Sequence, residues 1–213
     1  MWGFVFDVVF LGLFFSYYQH RQERRHDIKR WKEEIDDYRY WKTDEAAIRL
    51  AGLTRRLANN NATDVDLSHC EITSGVFEGL KLDQYNFYYS KLHSADFTDC
   101  SLINANFHLA ELTGAHLRNV NFSGSNLRNA DLSYAYLQGA KLIKTDLRDT
   151  FLNGIQMDNT TYLNLINLEN AQVDSLTWIE GILHLGVKGA QEILEKYEVK
   201  ETLNGFRVCL KEG

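Results

Sequence analysis

Seven histidines, three cysteines and a surplus of Asp and Glu are the residues of this 213-residue chain that could do chemistry. No spacing among them matches a known way of doing it. The sequence has no phosphate-binding glycine loop, no CxxC and no HExxH. The histidines are scattered, and the many aspartates recur at a fixed interval, which marks repetition and not an acid–base pair. No catalytic residue, cofactor site or metal site is therefore expected, and the chain reads as a non-enzyme. Two features suggest binding instead. Asp7 is a lone carboxylate inside an apolar run, where it could pair with a basic or polar residue on another transmembrane helix, or lie protonated or near the membrane surface. Tyr88, His108, Arg128 and Arg148 stand twenty residues apart, and Tyr and Arg are favoured anchors of protein interfaces.

Twenty is four times five, and five is the period that places these side chains. From Leu67 through Ile72, Phe77, Leu82 and Phe87 to Leu152 and Met157, all nineteen positions spaced by five are large and apolar. Two residues before each stands a mostly small one, such as Ala95, Cys100, Ala105 or Ala130. A period of five is neither helical nor that of a plain strand. Small and large residues two apart point the same way in an extended backbone. The next two positions must turn the chain, and they carry Gly79, Gly114, Gly124, Gly139, Gly154 and several Asn and Asp. A chain that turns every five residues in one sense winds into a stacked coil, a β-solenoid. Residues twenty apart then stack on one wall. His69, His93 and His116 fall on outward or corner positions of different walls.

The segments Ala95-Asp96-Phe97, Ala105-Asn106-Phe107 and Ala130-Asp131-Leu132 resemble the pentapeptide-repeat family, over about half of the chain. The resemblance implies a right-handed, four-sided β-helix with four repeats per coil and the large residues stacked inside. Residues 65–174 would then form between about five and six coils, on the order of 26 Å of rod. The register slips by one residue after Met157, which predicts a bulge near Asn159–Thr161. Leu80 and Tyr85 are too large for the small slots, which predicts a distorted coil there.

The net charge of −6 is uneven. Gln19–Ala58 holds 11 basic and 8 acidic residues, and Asn59–Asp174 holds 7 basic and 14 acidic. The rod lacks the basic stripe that neutralises phosphates, so direct nucleic-acid binding is not expected. Cys70 and Cys100 occupy inward slots on opposite walls, so no disulfide is expected between them.

Trp2–Tyr18 is apolar apart from Asp7 and Ser16, at the short end of a membrane span. Trp2 and Tyr17-Tyr18 suit interfacial anchors, and Arg21, Arg24, Arg25, Lys29 and Arg30 follow. The expectation is a single-pass helix over residues 1–18 in the inner membrane of a bacterium, contacting lipid through 2–18, with the remainder cytoplasmic. A soluble hydrophobic helix or a monotopic anchor is the other reading. Residues 19–58 read as a charged helical stalk followed by a helix over Glu45–Ala58 that caps the solenoid. On the stalk, Ile28, Trp31, Ile35 and Tyr38 form one apolar stripe, packing on a partner or on the base of the rod. Residues 59–174 are the solenoid. Residues 175–213 lose the period and read as a small α/β C-terminal cap. The expected function is a membrane-anchored scaffold, an accessory subunit docked to an integral-membrane partner. The partner-binding candidates are Asp7, the Ile28–Tyr38 stripe and the Tyr88, His108, Arg128, Arg148 column. The alternative comes from the family: some pentapeptide-repeat proteins mimic DNA and bind type II topoisomerases, and the acidic rod fits, although Arg118, Arg128 and Arg148 interrupt it.

Overall fold

The computed structural model describes the backbone of residues 2–212 and the side chains of residues 9–212. The five-residue period becomes a turn every five residues. In most repeats the amide after the corner closes back on the large residue, as Ala95 N–H does on Leu92 O at 3.1 Å. The residue before it takes a positive φ, 53° at Ser94 and 67° at Gly114, which is the type II pattern. Consecutive coils are held by parallel bridges between residues twenty apart, from Asp66 with Asn86 to Tyr136 with Gln156. Inside, rings stack at the same interval: Phe77 on Phe97 at 4.7 Å and Phe87 on Phe107 at 4.6 Å. The small slots keep the backbone close to this column, and their hydroxyls bond to carbonyls, Ser125 Oγ to Leu102 O of the coil below and Ser90 Oγ to Phe87 O of its own repeat.

The expected slip is present. Asp158 Oδ1 accepts from the amides of Thr160 at 2.9 Å and Thr161 at 3.2 Å, and this turn absorbs the extra residue. Beyond it the partners lie twenty-one apart: β1 (Lys141–Ile143) pairs with β2 (Tyr162–Asn164), Lys141 facing Tyr162. The expected distortion at Leu80 and Tyr85 is absent from the backbone, since Lys81 bridges Ser101 and Asn86 bridges Asn106 regularly. Leu80 instead moves to a partly buried position, and Tyr85 is fitted inside at 1% exposure. The side chains yield there because the inter-coil hydrogen bonds fix the backbone.

Both ends of the coil are covered. Helix α2 (Asp44–Asn59) starts at Thr43, whose Oγ1 accepts from Ala46 N–H at 3.2 Å. It closes the first coil with Leu50, Leu53 and Leu57. At the far end β3 (Gln172–Val173), α3 (Trp178–His184), α4 (Ala190–Lys196) and the hairpin β4 (Tyr197–Thr202) and β5 (Gly205–Leu210) form the cap. The sheet order is β3-β5-β4, and Trp178, Ile179, Ile182 and Ile193 are buried.

The N-terminal expectations need correction. Residues 2–38 form one continuous helix, α1 (Trp2–Tyr38). Its C-terminal half is no stalk. Arg24 bonds to Asn60 O, Lys32 Nζ to Thr63 O at 2.6 Å, and Arg39 to Ser68 Oγ at 3.0 Å, so the helix lies along the rim of the first coil. The stripe Ile28, Trp31, Ile35, Tyr38 packs into the chain's own core, Ile35 at 1% exposure. This is packing on the base of the rod, the second of the two occupants expected for the stripe. Among the described residues no helix is long and apolar enough to cross a membrane. The transmembrane helix expected over 1–18 is thus not met by these residues. Asp7 lies outside the residues whose side chains are described.

Candidate functional site

The predicted column lies on one corner of the rod, and its two halves differ. Tyr88 and His108 meet at 5.7 Å between ring centroids. Arg128 and Arg148 turn to the rod's own carboxylates: Arg128 Nε bonds Asp149 Oδ2 at 3.2 Å, and Arg148 Nη2 bonds Asp146 Oδ2 at 2.6 Å. The hydrogen bond from Arg148 holds the Asp146 carboxyl below the usual carboxylate range, against partial burial. These arginines are internal partners first, so only the aromatic half of the column offers side chains without an ionic partner.

That half is larger than the spacing alone indicates. His69 lies 5.4 Å from Tyr88 and 5.3 Å from Tyr89, and Tyr40, from the loop between α1 and α2, lies 6.1 Å from His69. Tyr40 and Tyr89 are exposed. His69, Tyr89 and Leu109 carry the corner at φ of 59°, 52° and 61°, a left-handed conformation costing roughly 1 kcal/mol for a side chain of this kind. Other corners use Gly, Asn, Asp or Ser at many of these places. His69 could have been found by stepping back twenty from Tyr89. Tyr40 could not, because only the α1–α2 connection brings it there.

Beneath this corner Arg39 is buried among polar groups. It bonds Ser68 Oγ, Asp66 O at 3.1 Å and Asp36. Burial opposes its charge, but the bond to Asp36 and the field of Asp66 raise its pKa above the ordinary value. Asp66 is likewise disfavoured by burial, yet the Ser68 amide and Arg39 hold its carboxyl low. This cluster fixes the helix to the coil. It presents no nucleophile. Burial pushes the Cys70 and Cys100 thiols up to about 12, so they stay protonated. Among the described residues no group of three or more His, Cys, Asp or Glu could hold a metal ion.

Eight copies of the Pentapeptide repeats family model match residues 86–119 and 110–149. Residues 86–149 are pentapeptide repeats. Solved structures that resemble this pentapeptide-repeat protein include a pentapeptide repeat protein of the Arabidopsis thaliana thylakoid lumen, at 26% identity over 52% of this chain and 81% of that one, with a TM-score of 0.46. Another, from Nostoc, is 21% identical over 68% of this chain and 94% of that one, with a TM-score of 0.39. The plasmid-mediated fluoroquinolone resistance protein QnrB1 is 22% identical over 54% of this chain and 62% of that one, with a TM-score of 0.28. No curated protein matches the chain. Members of the pentapeptide-repeat family are in general structural or interaction modules, and no catalytic family is indicated.

Proposed function

We propose that this pentapeptide-repeat protein is a non-enzymatic scaffold tethered to a membrane by the apolar end of α1, with its rod presented to a protein of a membrane complex. The observation that carries the reading is the state of residues 9–18. Val9, Phe10, Leu11, Leu13, Phe14, Phe15, Tyr17 and Tyr18 are each more than half exposed, Phe10 at 71%. At about 100° per residue they cover about 240° of the helix circumference, with Gly12 and Ser16 on the remainder, so a single groove or coiled-coil seam would leave most of them in water. An apolar liquid surrounds a helix on all sides. Tyr17 and Tyr18 lie at the C-terminal boundary of the apolar run, and Arg21, Arg24 and Arg25 follow at headgroup level. The bacterial inner membrane, with the rod on the cytoplasmic side, is the setting that this order of apolar, aromatic and basic residues favours.

The ring cluster of exposed Tyr40, His69 and Tyr89 with half-buried Tyr88 and His108 is the surface we assign to the protein partner. The DNA-mimic reading, with a type II topoisomerase as partner, has the acidity of the rod in its favour and the exposed apolar helix against it. Sedimentation of the full-length chain with phosphatidylcholine vesicles tests the tether. Wild type is expected to pellet with lipid, and Phe10→Asp combined with Phe14→Asp to stay in solution. Equal behaviour of the two, bound or unbound, would overturn the reading.

A further inference from the structure

The course of α1 across the rod's end carries an orientation. Followed from Arg39 back to Arg24, its hydrogen bonds move from Ser68 and Asp66 to Thr63 and Asp64 and then to Asn60. All of these residues belong to the rim of the first coil or the turn leading into it, so the helix runs across the rod axis and not along it. It leaves the body over one particular side, the wall above residues 60–63. The parallel bridges define that wall: Lys81 with Ser101, Ser101 with Asn121, Asn121 with Lys141, Lys141 with Tyr162, and Tyr162 with Lys188.

The unpaired cations of the rod gather on the same side. Lys141 and Lys188 point out from the wall, and Lys144 and Arg118 stand on its two bordering corners, all four exposed. None of the four has an ion-pair partner among the described residues, whereas Lys91, Arg128 and Arg148 on other sides are paired with Glu71, Asp149 and Asp146. Exposed Tyr162 and Leu165 lie among the lysines. Asp158 and Glu192 border the patch and leave it net positive. The opposite wall is acidic over its near end, with Glu71, Glu111 and Asp131 against Lys91, and carries Arg207 over Phe151 at its far end. The other acids on the exit side, Asp64, Glu78, Asp83 and Asp99, lie toward the near end of the rod.

Resting on the tether proposed above, we infer that the rod lies side-on against an anionic lipid surface, held at one end by α1 and at the other by Lys141, Lys144, Lys188 and Arg118. The two attachments are about 20–30 Å apart along the rod at one strand spacing per coil. The helix keeps the lysines at the surface, so their weak attraction acts at high effective concentration. The ring cluster on the neighbouring corner and the acidic opposite wall stay clear of lipid for a protein partner.

Binding of the full-length chain to phosphatidylcholine vesicles with and without phosphatidylserine tests this. Each lysine near an anionic surface is worth about fivefold, so wild type is expected to prefer anionic vesicles at least tenfold. The variant Lys141→Glu, Lys144→Glu, Lys188→Glu is expected to keep only the part of that preference that Arg21, Arg24 and Arg25 supply, a drop of at least about tenfold, and to keep its binding to neutral vesicles. A dye placed on Tyr162→Cys, in a Cys209→Ser background, is expected to be quenched by brominated lipid, and one on Phe151→Cys of the opposite wall is not. An unchanged preference in the triple variant, or equal quenching at the two positions, would overturn the side-on placement and leave the tether standing. Failure of wild type to bind either vesicle would overturn both.

Discussion

Replacing Tyr85 with Phe is expected to stabilise the protein. Tyr85 fills a slot that Ala105, Ser125 and Thr145 occupy in the coils above it, and it is 1% exposed. The short hydroxyls of that column reach carbonyls, Ser125 Oγ to Leu102 O at 2.5 Å and Thr145 Oγ1 to Phe122 O at 2.9 Å. The phenol carries its oxygen past any carbonyl, and Tyr85 Oη is buried with no hydrogen-bond partner. A buried hydroxyl left unpaired costs about 1–3 kcal/mol. Tyr85→Phe removes that cost and keeps the ring against Phe87, 6.4 Å away. Removing one oxygen from a packed interior gives back part of the gain, so a net stabilisation of about 1 kcal/mol is expected. In a chain of this length that is a rise in Tm of about 2–4 °C. Calorimetry on the two proteins reads it directly. A fall in Tm of similar size would show that the hydroxyl holds a partner, a bound water for instance, and would refute the reasoning. Burial also pushes the Tyr85 phenol up to about 12. An ultraviolet titration should therefore show one of the eleven tyrosines ionising late, and Tyr85→Phe should remove that step.

The same shifts predict alkaline unfolding. The Tyr85 phenol and the Cys70 and Cys100 thiols are all raised to about 12 in the folded chain. Their contribution is complete below the ordinary thiol and phenol values and lost as pH rises through about 12, a loss that circular dichroism against pH would follow. Asp66 and Asp146 are lowered, so their contribution is present above the ordinary carboxylate value and lost as pH falls through the lowered ones. Leu109→Asn should raise stability by about 0.5–1 kcal/mol in denaturant titration, because Asn tolerates the positive φ of 61° better than Leu. Gly189→Ala should cost more than about 2 kcal/mol, since a Cβ there would stand 1.5 Å from Leu163 O at a φ of 90°, and hydrogen exchange should show the C-terminal cap opening first. Arg39→Ala should release α1 from the rim, since Asp66 O and Ser68 O lose their donor. Hydrogen exchange in residues 24–38 should rise while the coils above 86 are unchanged.

The solenoid was legible because its constraint is local and repeated. Each large residue, small slot and corner depends on neighbours within five positions, and the sequence restates the rule many times. The slip after Met157 was legible for the same reason. What the period does not encode is where a side chain goes when it breaks the rule. Tyr85 and Leu80 were expected to distort the backbone, but inter-coil hydrogen bonds outweigh two side chains that can reposition. The stripe on α1 gave the right face and left its occupant open, because an apolar stripe fits the chain's own rim as well as a partner. The ring cluster was half legible: the twenty-residue step finds Tyr88 and His108, but Tyr40 arrives through the turn between α1 and α2. Arg128 of that column looked available because the step of twenty-one residues to Asp149 crosses from one coil to the corner of the next, whereas Arg148 pairs with Asp146 only two residues before it.

Fractionation of cells carrying the tagged full-length chain tests the tether most directly. The account predicts that the protein sediments with membranes, resists high salt and alkaline carbonate, and is released by detergent. Recovery in the supernatant before any detergent is added would contradict it.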